Sequence, residues 1–295
     1  MKDRIFRAAG FLAALVFIIV LSPEPQFFRI TFVGDVMLGR GIQSAAERSK
    51  DWRPFQDLEP STYWSDVLAA NLESPLTIAP PQTGGYMLCA RPEMVSALKT
   101  ASFDLVTLAN NHILDCGEAG KDQTHLTLSG MGIHPVGPDA KPVYINLRGR
   151  LAGFIALDDV TRAVDVPSVL PLVEEAARRA DPLIISIHWG SEYQPSPAPR
   201  QRALASMLAN AGADVIIGHH PHVVQPMEFL PRGTDQPPAI VFYSLGNALF
   251  DQHGLPDTRT GALVNLNFGP GGTLLYSVET FEIDPVNGVI RRINP

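Results

Sequence analysis

The stretch RQRALASMLANAGADVIIGHHPH, residues 200–222, contains one complete helix-to-strand unit. Its first half, 200–212, carries apolar side chains at helical spacing and closes at a glycine, which predicts a helix. The segment that begins at Asp214 continues with the apolar residues 215–217, which predict a buried strand leading into a group of histidines. This order of helix, tight turn, buried strand and polar loop is typical of a layered α/β fold.

The same alternation continues along the rest of the chain. Apolar runs predict further strands at 29–34, 66–73, 104–112, 150–157, 183–190 and 239–247, and helical spacing predicts further helices at 92–103, 121–132 and 170–180. The segment 263–293 is typical of strands joined by turns at GPGG and DPVNG, so we expect mixed rather than purely parallel sheets. No linker divides residues 27–295, which we predict to form one domain.

Residues 1–26 have the pattern of a targeting segment. The first seven residues carry three basic side chains, the run AAGFLAALVFIIVL at 8–21 carries no charge, and SPEP follows. This order is typical of a cleaved signal peptide or an uncleaved signal anchor, although the run is short for a bilayer span of about 20 residues. A buried core helix is the remaining alternative.

We predict a single N-terminal hydrophobic helix in the cell membrane, with the domain outside the cytoplasm. Basic residues that precede such a run stay in the cytoplasm, which places the chain from about Ser22 onward on the other side. If the segment is cleaved, the domain is secreted or periplasmic instead.

The composition excludes one class of function and leaves the redox state open. A net charge of −7 argues against a nucleic-acid-binding protein. The two cysteines, Cys89 and Cys116, form no CxxC or Cys-His zinc pattern. Outside the cytoplasm they fit one disulfide as well as they fit two buried free thiols.

Side chains with metal-ligand chemistry follow five of the predicted strands. They are Asp35, Glu73, Asn111 with His112, His188, and His219 with His220 and His222. Strand ends in an α/β sheet gather at one edge, where ligands bind. Because buried carboxylates and imidazoles need partners, a divalent metal or a pair of metals would satisfy several of these groups together.

The loop IIGHHPH at 216–222 is the strongest local signal. Pro221 stiffens the loop between His220 and His222 because its ring fixes φ. Such an H-x-H pair can place two imidazoles on one metal or on adjacent metals, and we predict that it does so here.

Taken singly, other candidates also fit a structural role. Asp35 follows a glycine and is compatible with an aspartate in a turn. Glu73 is compatible with a residue that caps a turn before Pro75, and His188 is compatible with a histidine in the core. The remaining histidines have no comparable context, and we predict structural positions for them: a helix surface for His125, and loops for His134 and His253.

On these residues the chain resembles the CapA family of poly-γ-glutamate capsule synthesis proteins, which is related to the metallophosphoesterases. The resemblance covers roughly residues 29–250, and its six ordered motifs make it specific. The motifs are GDVMLGR (34–40), NLESPLT (71–77), LANNHILDCGEAG (108–120), IHWGSEYQ (187–194), GADVIIGHHPHVVQP (212–226) and YSLGN (243–247). The resemblance implies a metallophosphoesterase-like α/β/β/α sandwich of mixed sheets, with a site for two Mn²⁺, Fe²⁺ or Zn²⁺ ions.

The resemblance also implies roles for the motif residues. His112 would protonate a leaving group or stabilise a transition state. The implied metal ligands are Asp35, Glu73, Asn111, His188, His220 and His222. The residues implied to support these ligands or to meet the substrate are Arg40, Glu192, His219 and Asn247, although Arg40 also fits a surface salt bridge.

The first two motifs depart from the phosphoesterase pattern. Asp35-Val36-Met37 stands where that pattern has Asp-x-His, so one histidine is missing. Glu73 stands where that pattern has a metal-bridging aspartate. One of the two implied metal positions therefore has fewer ligands than the other.

We therefore expect a metal-dependent hydrolase or transferase that acts on an anionic polymer such as poly-γ-glutamate, or on its phosphorylated carrier. The expected partners are the cytoplasmic membrane, the polymer and the subunits of a synthase complex. The alternative is a non-catalytic, membrane-associated subunit that binds polymer or assembles the complex around a structural or vestigial metal site. A phosphoesterase for small substrates unrelated to capsule is a third interpretation.

Overall fold

A computed structural model describes residues 27–80, 86–233, 236–252, 254–284 and 288–292. The expected N-terminal hydrophobic helix lies outside these residues. Within them, every helix is too short or too polar to cross a bilayer.

The described chain alternates strands and helices. In chain order the strands are β1 (Phe28–Val36), β2 (Val67–Leu72), β3 (Leu105–Thr107), β4 (His134–Val136), β5 (Val143–Leu147), β6 (Arg150–Asp158), β7 (Leu183–His188), β8 (Val215–His219), β9 (Met227–Arg232), β10 (Gln236–Phe242), β11 (Asn247–Leu249), β12 (Thr260–Phe268), β13 (Leu274–Ile283) and β14 (Ile290–Arg292). The helices are α1 (Arg40–Arg48), α2 (Glu59–Thr62), α3 (Val95–Thr100), α4 (Gly117–Gly130), α5 (Val166–Ala177) and α6 (Pro199–Asn210).

The strands form two mixed sheets, as the strand-rich C-terminal segment predicts. The first sheet has the order β14-β13-β12-β1-β2-β3-β4, with β11 pairing the end of β1. The second has the order β5-β6-β7-β8-β10-β9. The centre of each sheet is parallel, through β1 to β4 in the first and β6, β7, β8 and β10 in the second. Antiparallel strands flank both centres.

Three apolar clusters show how these sheets and helices stack. Phe32 of β1 and Phe154 of β6 belong to a cluster between the two sheets. Ile42 of α1 packs in a second cluster on the outer face of the first sheet, and Leu204 of α6 packs in a third on the outer face of the second. Each fully buried side chain of this size contributes about 1.5–3 kcal/mol. The clusters order the layers as helices, sheet, sheet and helices.

Several boundaries differ from the sequence-based prediction. Helix α1 was not expected, because its buried face consists of only Ile42 and Ala45. Helix α5 begins four residues before the expected 170, since a proline in its first turn is compatible with a helix start. The strand expected over 239–247 ends at Phe242, and Asn247 begins the separate strand β11.

Two smaller expectations are also settled. Cys89 and Cys116 form a disulfide, which ties the segment before α3 to the residue that precedes α4. His134 begins β4 rather than lying in a loop, while His253 lies outside the described residues.

The parallel strands give the molecule two distinct edges. We call the edge where β1, β2, β3, β7 and β8 end the carboxyl edge, and the edge where they begin the amino edge. The candidate ligands lie in the last residues of these strands or in the loops that follow them, and therefore at the carboxyl edge.

Candidate metal centre

Two glycines allow strands to approach closely at the carboxyl edge. A Cβ on Gly34 would stand 1.9 Å from the Gly246 carbonyl oxygen, and a Cβ on Gly218 would stand 2.0 Å from that of Tyr243. These distances exclude any side chain at either position. The residue after each glycine, Asp35 or His219, is consequently fixed against backbone of another strand, and Asp35 donates its N–H to the Gly246 carbonyl at 2.9 Å.

Asp35 lies at the centre of the site and is fully buried. Its Oδ1 is 3.0 Å from Nδ1 of His219, and its Oδ2 accepts the backbone N–H of His220 at 3.1 Å and lies 3.5 Å from Nδ1 of His222. Burial favours a raised pKa for this carboxyl, but the close His219, with His222 and His188, outweighs burial and holds the pKa below its usual range. Asp35 is therefore a carboxylate, the form that binds metal.

The H-x-H loop has an unusual backbone. His220 and His222 have φ values of 94° and 58°, in the left-handed region that residues other than glycine rarely occupy. Nδ1 of His222 lies 2.9 Å from Oδ1 of Asn247, and the backbone N–H of Tyr193 donates to the Pro221 carbonyl at 2.8 Å. Such backbone strain persists where surrounding structure fixes it, and it is common at functional sites.

Glu73 is a fully buried carboxyl that lacks sufficient partners. Its Oε1 accepts from Nδ2 of Asn71 at 3.4 Å, but its Oε2 makes no hydrogen bond with any described residue. Burial raises the pKa of Glu73 well above its ordinary value, and the neighbouring charge of Asp35 raises it further. An orphaned, buried carboxylate oxygen is the donor that a bound cation would satisfy.

Asn71 connects the ligand candidates, although sequence analysis did not single it out. Its Nδ2 donates to Oδ1 of Asp35 at 2.9 Å and lies 3.4 Å from Nδ1 of His188. Its Oδ1 accepts from Nδ2 of Asn110 at 3.1 Å, and Asn110 in turn donates to the Leu72 carbonyl at 2.8 Å. Both asparagines belong to the motifs NLESPLT (71–77) and LANNHILDCGEAG (108–120). An amide side chain at the end of an apolar strand was the sequence signal that could have identified them.

His188 and Asn111 contact each other directly. Nε2 of His188 lies 2.9 Å from Oδ1 of Asn111, and its ring centroid is 4.7 Å from that of His220. Burial, reinforced by the charge of His220, lowers the pKa of His188 well below its ordinary value. Burial and the charge of His222 likewise lower the pKa of His220 to about 4. Both imidazoles are therefore neutral near pH 7, which is the form that ligates metals.

His112 stands at the rim of the site beside a carboxylate. Its Nδ1 lies 3.0 Å from Oδ2 of Asp115, which also accepts the backbone N–H of Leu88 at 2.7 Å. Leu88 adjoins the disulfide, so this cross-link and Asp115 hold the His112 ring in place together. Sequence analysis did not identify Asp115, because its distance from His112 depends on the turn between them.

An open cleft of about 480 Å³ leads from the surface to the histidines. Its lining includes Arg40, Tyr86, Glu192 and Tyr193. The guanidinium of Arg40 forms an ion pair with Asp251 at 2.8 Å and also faces the Tyr86 ring, so the expected salt bridge is present, while contact with a substrate stays a prediction. Burial and the adjacent Glu192 raise the pKa of Tyr193 to about 12, which keeps its hydroxyl protonated.

The donor set fits a divalent metal. Two groups offer ligand atoms within 4.8 Å of one another: Asp35 with Glu73 and His222, and Glu192 with His220 and His222. His222 is common to both groups. Neither ring nitrogen of His219 makes a hydrogen bond of ordinary geometry within the described residues, so His219 is a further potential ligand beside Asp35. Mixed carboxylate and imidazole donors suit Mn²⁺, Fe²⁺ or Zn²⁺.

A family model and two related proteins all indicate the same protein family. Residues 29–252 match the family described as "Bacterial capsule synthesis protein PGA_cap". The PGA biosynthesis protein CapA of Bacillus subtilis (strain 168) is 34% identical over 276 residues, which cover 86% of this chain and 71% of that protein. The capsule biosynthesis protein CapA of Bacillus anthracis is 32% identical over 290 residues, covering 88% and 68%.

Among solved structures, a hypothetical protein from Thermus thermophilus has the same fold. It aligns with a TM-score of 0.58 at 17% sequence identity, and covers 86% of this chain and 99% of that one. At this identity the likeness concerns the fold alone.

Proposed function

The chain belongs to the family of bacterial capsule synthesis proteins, and from this premise we propose that it is a metal-dependent hydrolase or transferase in the synthesis or export of an anionic polymer. The polymer class is that of poly-γ-glutamate, and the substrate is the polymer or its phosphorylated carrier. The domain works outside the cytoplasm, attached to the membrane by residues 8–21 and associated with synthase subunits.

One observation carries the proposal of metal dependence. Asp35, Glu73, His219 and His222 are each at least 98% buried, yet among the described residues Glu73 Oε2 and His219 Nε2 have no hydrogen-bond partner. Polar groups buried in this way cost about 1–3 kcal/mol each when they are unsatisfied. The likeness of the layered fold and ligand order to metallophosphoesterases supports the same assignment.

The residues that would hold metal are Asp35, Glu73, Asn111, His188, His220 and His222, with Glu192 and His219 adjacent. A divalent cation there would supply Lewis-acid chemistry, polarising an anionic centre and lowering the pKa of water. Asn71 orients Asp35, and Asn247 orients His222, through the hydrogen bonds described above. Such supporting partners hold ligands in binding geometry.

His112 is placed to move a proton at the rim. Because Nδ1 is engaged by Asp115, Nε2 remains for donation to a leaving oxygen or nitrogen. Arg40, one-third exposed in the cleft, would attract the carboxylates or phosphates of the substrate.

A second candidate function is a non-catalytic subunit that binds polymer and assembles a synthase complex. Met37 favours this alternative, because it is completely buried and places a thioether where the phosphoesterase pattern has a histidine ligand. The metal would then stabilise the domain without turning over substrate.

Metal content tests the proposed site. The full chain, purified in detergent and loaded with Mn²⁺ or Zn²⁺, is expected to retain on the order of two ions per chain, as two-metal sites do. His220→Ala should lower this number, whereas His134→Ala, which removes an exposed histidine of β4, should leave it unchanged. Absence of bound metal from the wild-type protein would overturn the proposal.

Turnover separates the two candidate functions. The loaded protein is assayed for release of new amino groups from poly-γ-glutamate and of phosphate from phosphoesters, beside His112→Ala. Hydrolysis that His112→Ala abolishes while metal content is unchanged supports the enzyme. Bound metal with no hydrolysis in either assay supports the assembly subunit.

A further inference from the structure

The amino edge exposes a pair of aromatic rings that the core leaves uncovered. Tyr63 and Trp64 lie between α2 and β2 and are 75% and 72% exposed. Their ring centroids are 4.9 Å apart with perpendicular planes, so the two rings pack against each other and form one continuous apolar protrusion. Further large apolar side chains exposed along this edge are Phe27, Met131 and Leu275.

This aromatic pair is fixed beside the start of β1. The backbone N–H of Asp66 donates to the Arg29 carbonyl at 2.8 Å, and the N–H of Arg29 donates to Oδ2 of Asp66 at 2.8 Å. The reciprocal bonds hold the segment that follows Trp64 against the first residues of the first strand. Phe27, 44% exposed, precedes that strand at the same edge.

The tether to the apolar run at 8–21 is short. Six residues, 22–27, separate this run from Phe28. Fully extended, such a connection spans about 20–25 Å. Strand β1 has nine residues and measures about 30 Å at about 3.3 Å per residue. A domain held by this tether can rest its amino edge on a bilayer, whereas with β1 upright it cannot rest its carboxyl edge there.

The acidic residue that follows the pair in the sequence is matched by a basic one. Asp66, two residues after Trp64, is paired with Arg148 at 2.9 Å, so its carboxylate is compensated at the surface. Tyr and Trp concentrate at the membrane–water interface, because their rings are apolar and their polar atoms remain hydrated.

We infer that Tyr63 and Trp64, with Phe27, seat the amino edge of the domain on the lipid–water interface of the bilayer. The inference rests on the membrane attachment proposed above, and adds to it a defined contact surface and orientation. The cleft and the metal centre then face away from the lipid.

Site-specific fluorescence in vesicles tests this surface. Both natural cysteines are in the disulfide, so Tyr63→Cys and Ile78→Cys each introduce one free thiol, at exposed positions before the start of β2 and after its end. The full chain with a fluorophore at either position is reconstituted into phosphatidylcholine–phosphatidylglycerol vesicles that contain headgroup-nitroxide lipid. Flotation of the vesicles reports attachment independently.

We expect the nitroxide lipid to quench the label at position 63 and to leave the label at position 78 unchanged. Trp64→Glu should reduce the quenching at position 63 while the protein still floats. Flotation with equal or reversed quenching would overturn the orientation and leave attachment intact. Failure of the chain to float would overturn the attachment, and the surface with it.

Discussion

Acidic residues occur at both edges of the sheets, but they are used differently. At the amino edge, aspartates stand directly before strands, and each accepts a backbone N–H from the neighbouring strand while donating its own N–H to the same residue. These pairs are Asp66 with Arg29, Asp104 with Leu68, and Asp214 with Leu183. Each carboxylate therefore braces the register of two parallel strands.

At the carboxyl edge, Asp35 is the penultimate residue of β1 and Glu73 directly follows β2, and both carboxyl groups face other side chains. Asp35 contacts two histidines, and Glu73 keeps an oxygen with no hydrogen bond among the described residues. The comparison shows that position relative to strand direction separates acids that stabilise the sheets from acids available to a ligand. Substitutions at the two edges should therefore change different quantities.

The largest expected effect is the loss of metal affinity in Asp35→Asn. The change removes the central carboxylate charge while conserving shape, so affinity for Mn²⁺ should fall by more than the roughly 100-fold that loss of a supporting partner can cost. Calorimetric titration measures it. Asp104→Asn at the amino edge is the matched control and should bind metal normally; equal losses in both variants would break the comparison.

A smaller loss of affinity is expected for Asn71→Ala. Asn71 touches Asp35 and His188 through hydrogen bonds without being a predicted ligand itself. Removing such a partner should lower metal affinity about 10–100-fold. The same titration applies to Asn265→Ala, which removes another buried asparagine, bonded to Thr31. An unchanged affinity in Asn71→Ala would show that Asp35 is oriented by other contacts.

Asp214→Ala should lower the stability of the protein and leave metal affinity unchanged, in contrast to the two variants at the carboxyl edge. This change leaves the Leu183 N–H without its carboxylate partner and deprives Arg232 of an ion pair at 3.0 Å. The free energy of unfolding should fall by about 1–3 kcal/mol, measured by urea denaturation, while metal affinity stays constant. A weakened metal site in this variant would mean that the two edges are coupled.

The smallest expected effect is a change in the stability of the metal-free protein caused by Glu73→Met. Glu73→Met removes a buried carboxyl with an orphaned oxygen, and should raise the free energy of unfolding in chelator by about 1 kcal/mol. Because burial raises the pKa of Glu73, the wild-type penalty is present at high pH and is lost as the pH falls and the group is protonated. The difference between variant and wild type should therefore shrink in acid; a constant difference would point to packing instead.

The sequence predicted which residues meet at the carboxyl edge, because a strand ending in a polar residue fixes the side on which that residue lies. Asp35 and His188 lie among the last two residues of their strands, and Glu73, Asn111 and His222 follow theirs within four residues. The prediction of mixed sheets also holds, since alternating apolar runs and turn residues near the C-terminus require antiparallel neighbours.

What the sequence could not supply were contacts between separate strands. The links from Asn71 to Asp35 and from Asp115 to Leu88 depend on distances that no local pattern contains. Short elements were missed for a related reason. β4 has three residues and β9 contains a proline, so both depend on pairing with a neighbour rather than on local propensity.

The length of β1 has an electrostatic consequence for a domain seated on its amino edge. About 30 Å of strand corresponds to nearly four screening lengths at physiological ionic strength, where the Debye length is about 8 Å. The negative surface potential of anionic lipid has decayed almost completely at that height. An anionic polymer can thus approach the cleft without repulsion from the bilayer, and its binding should be indifferent to the lipid charge.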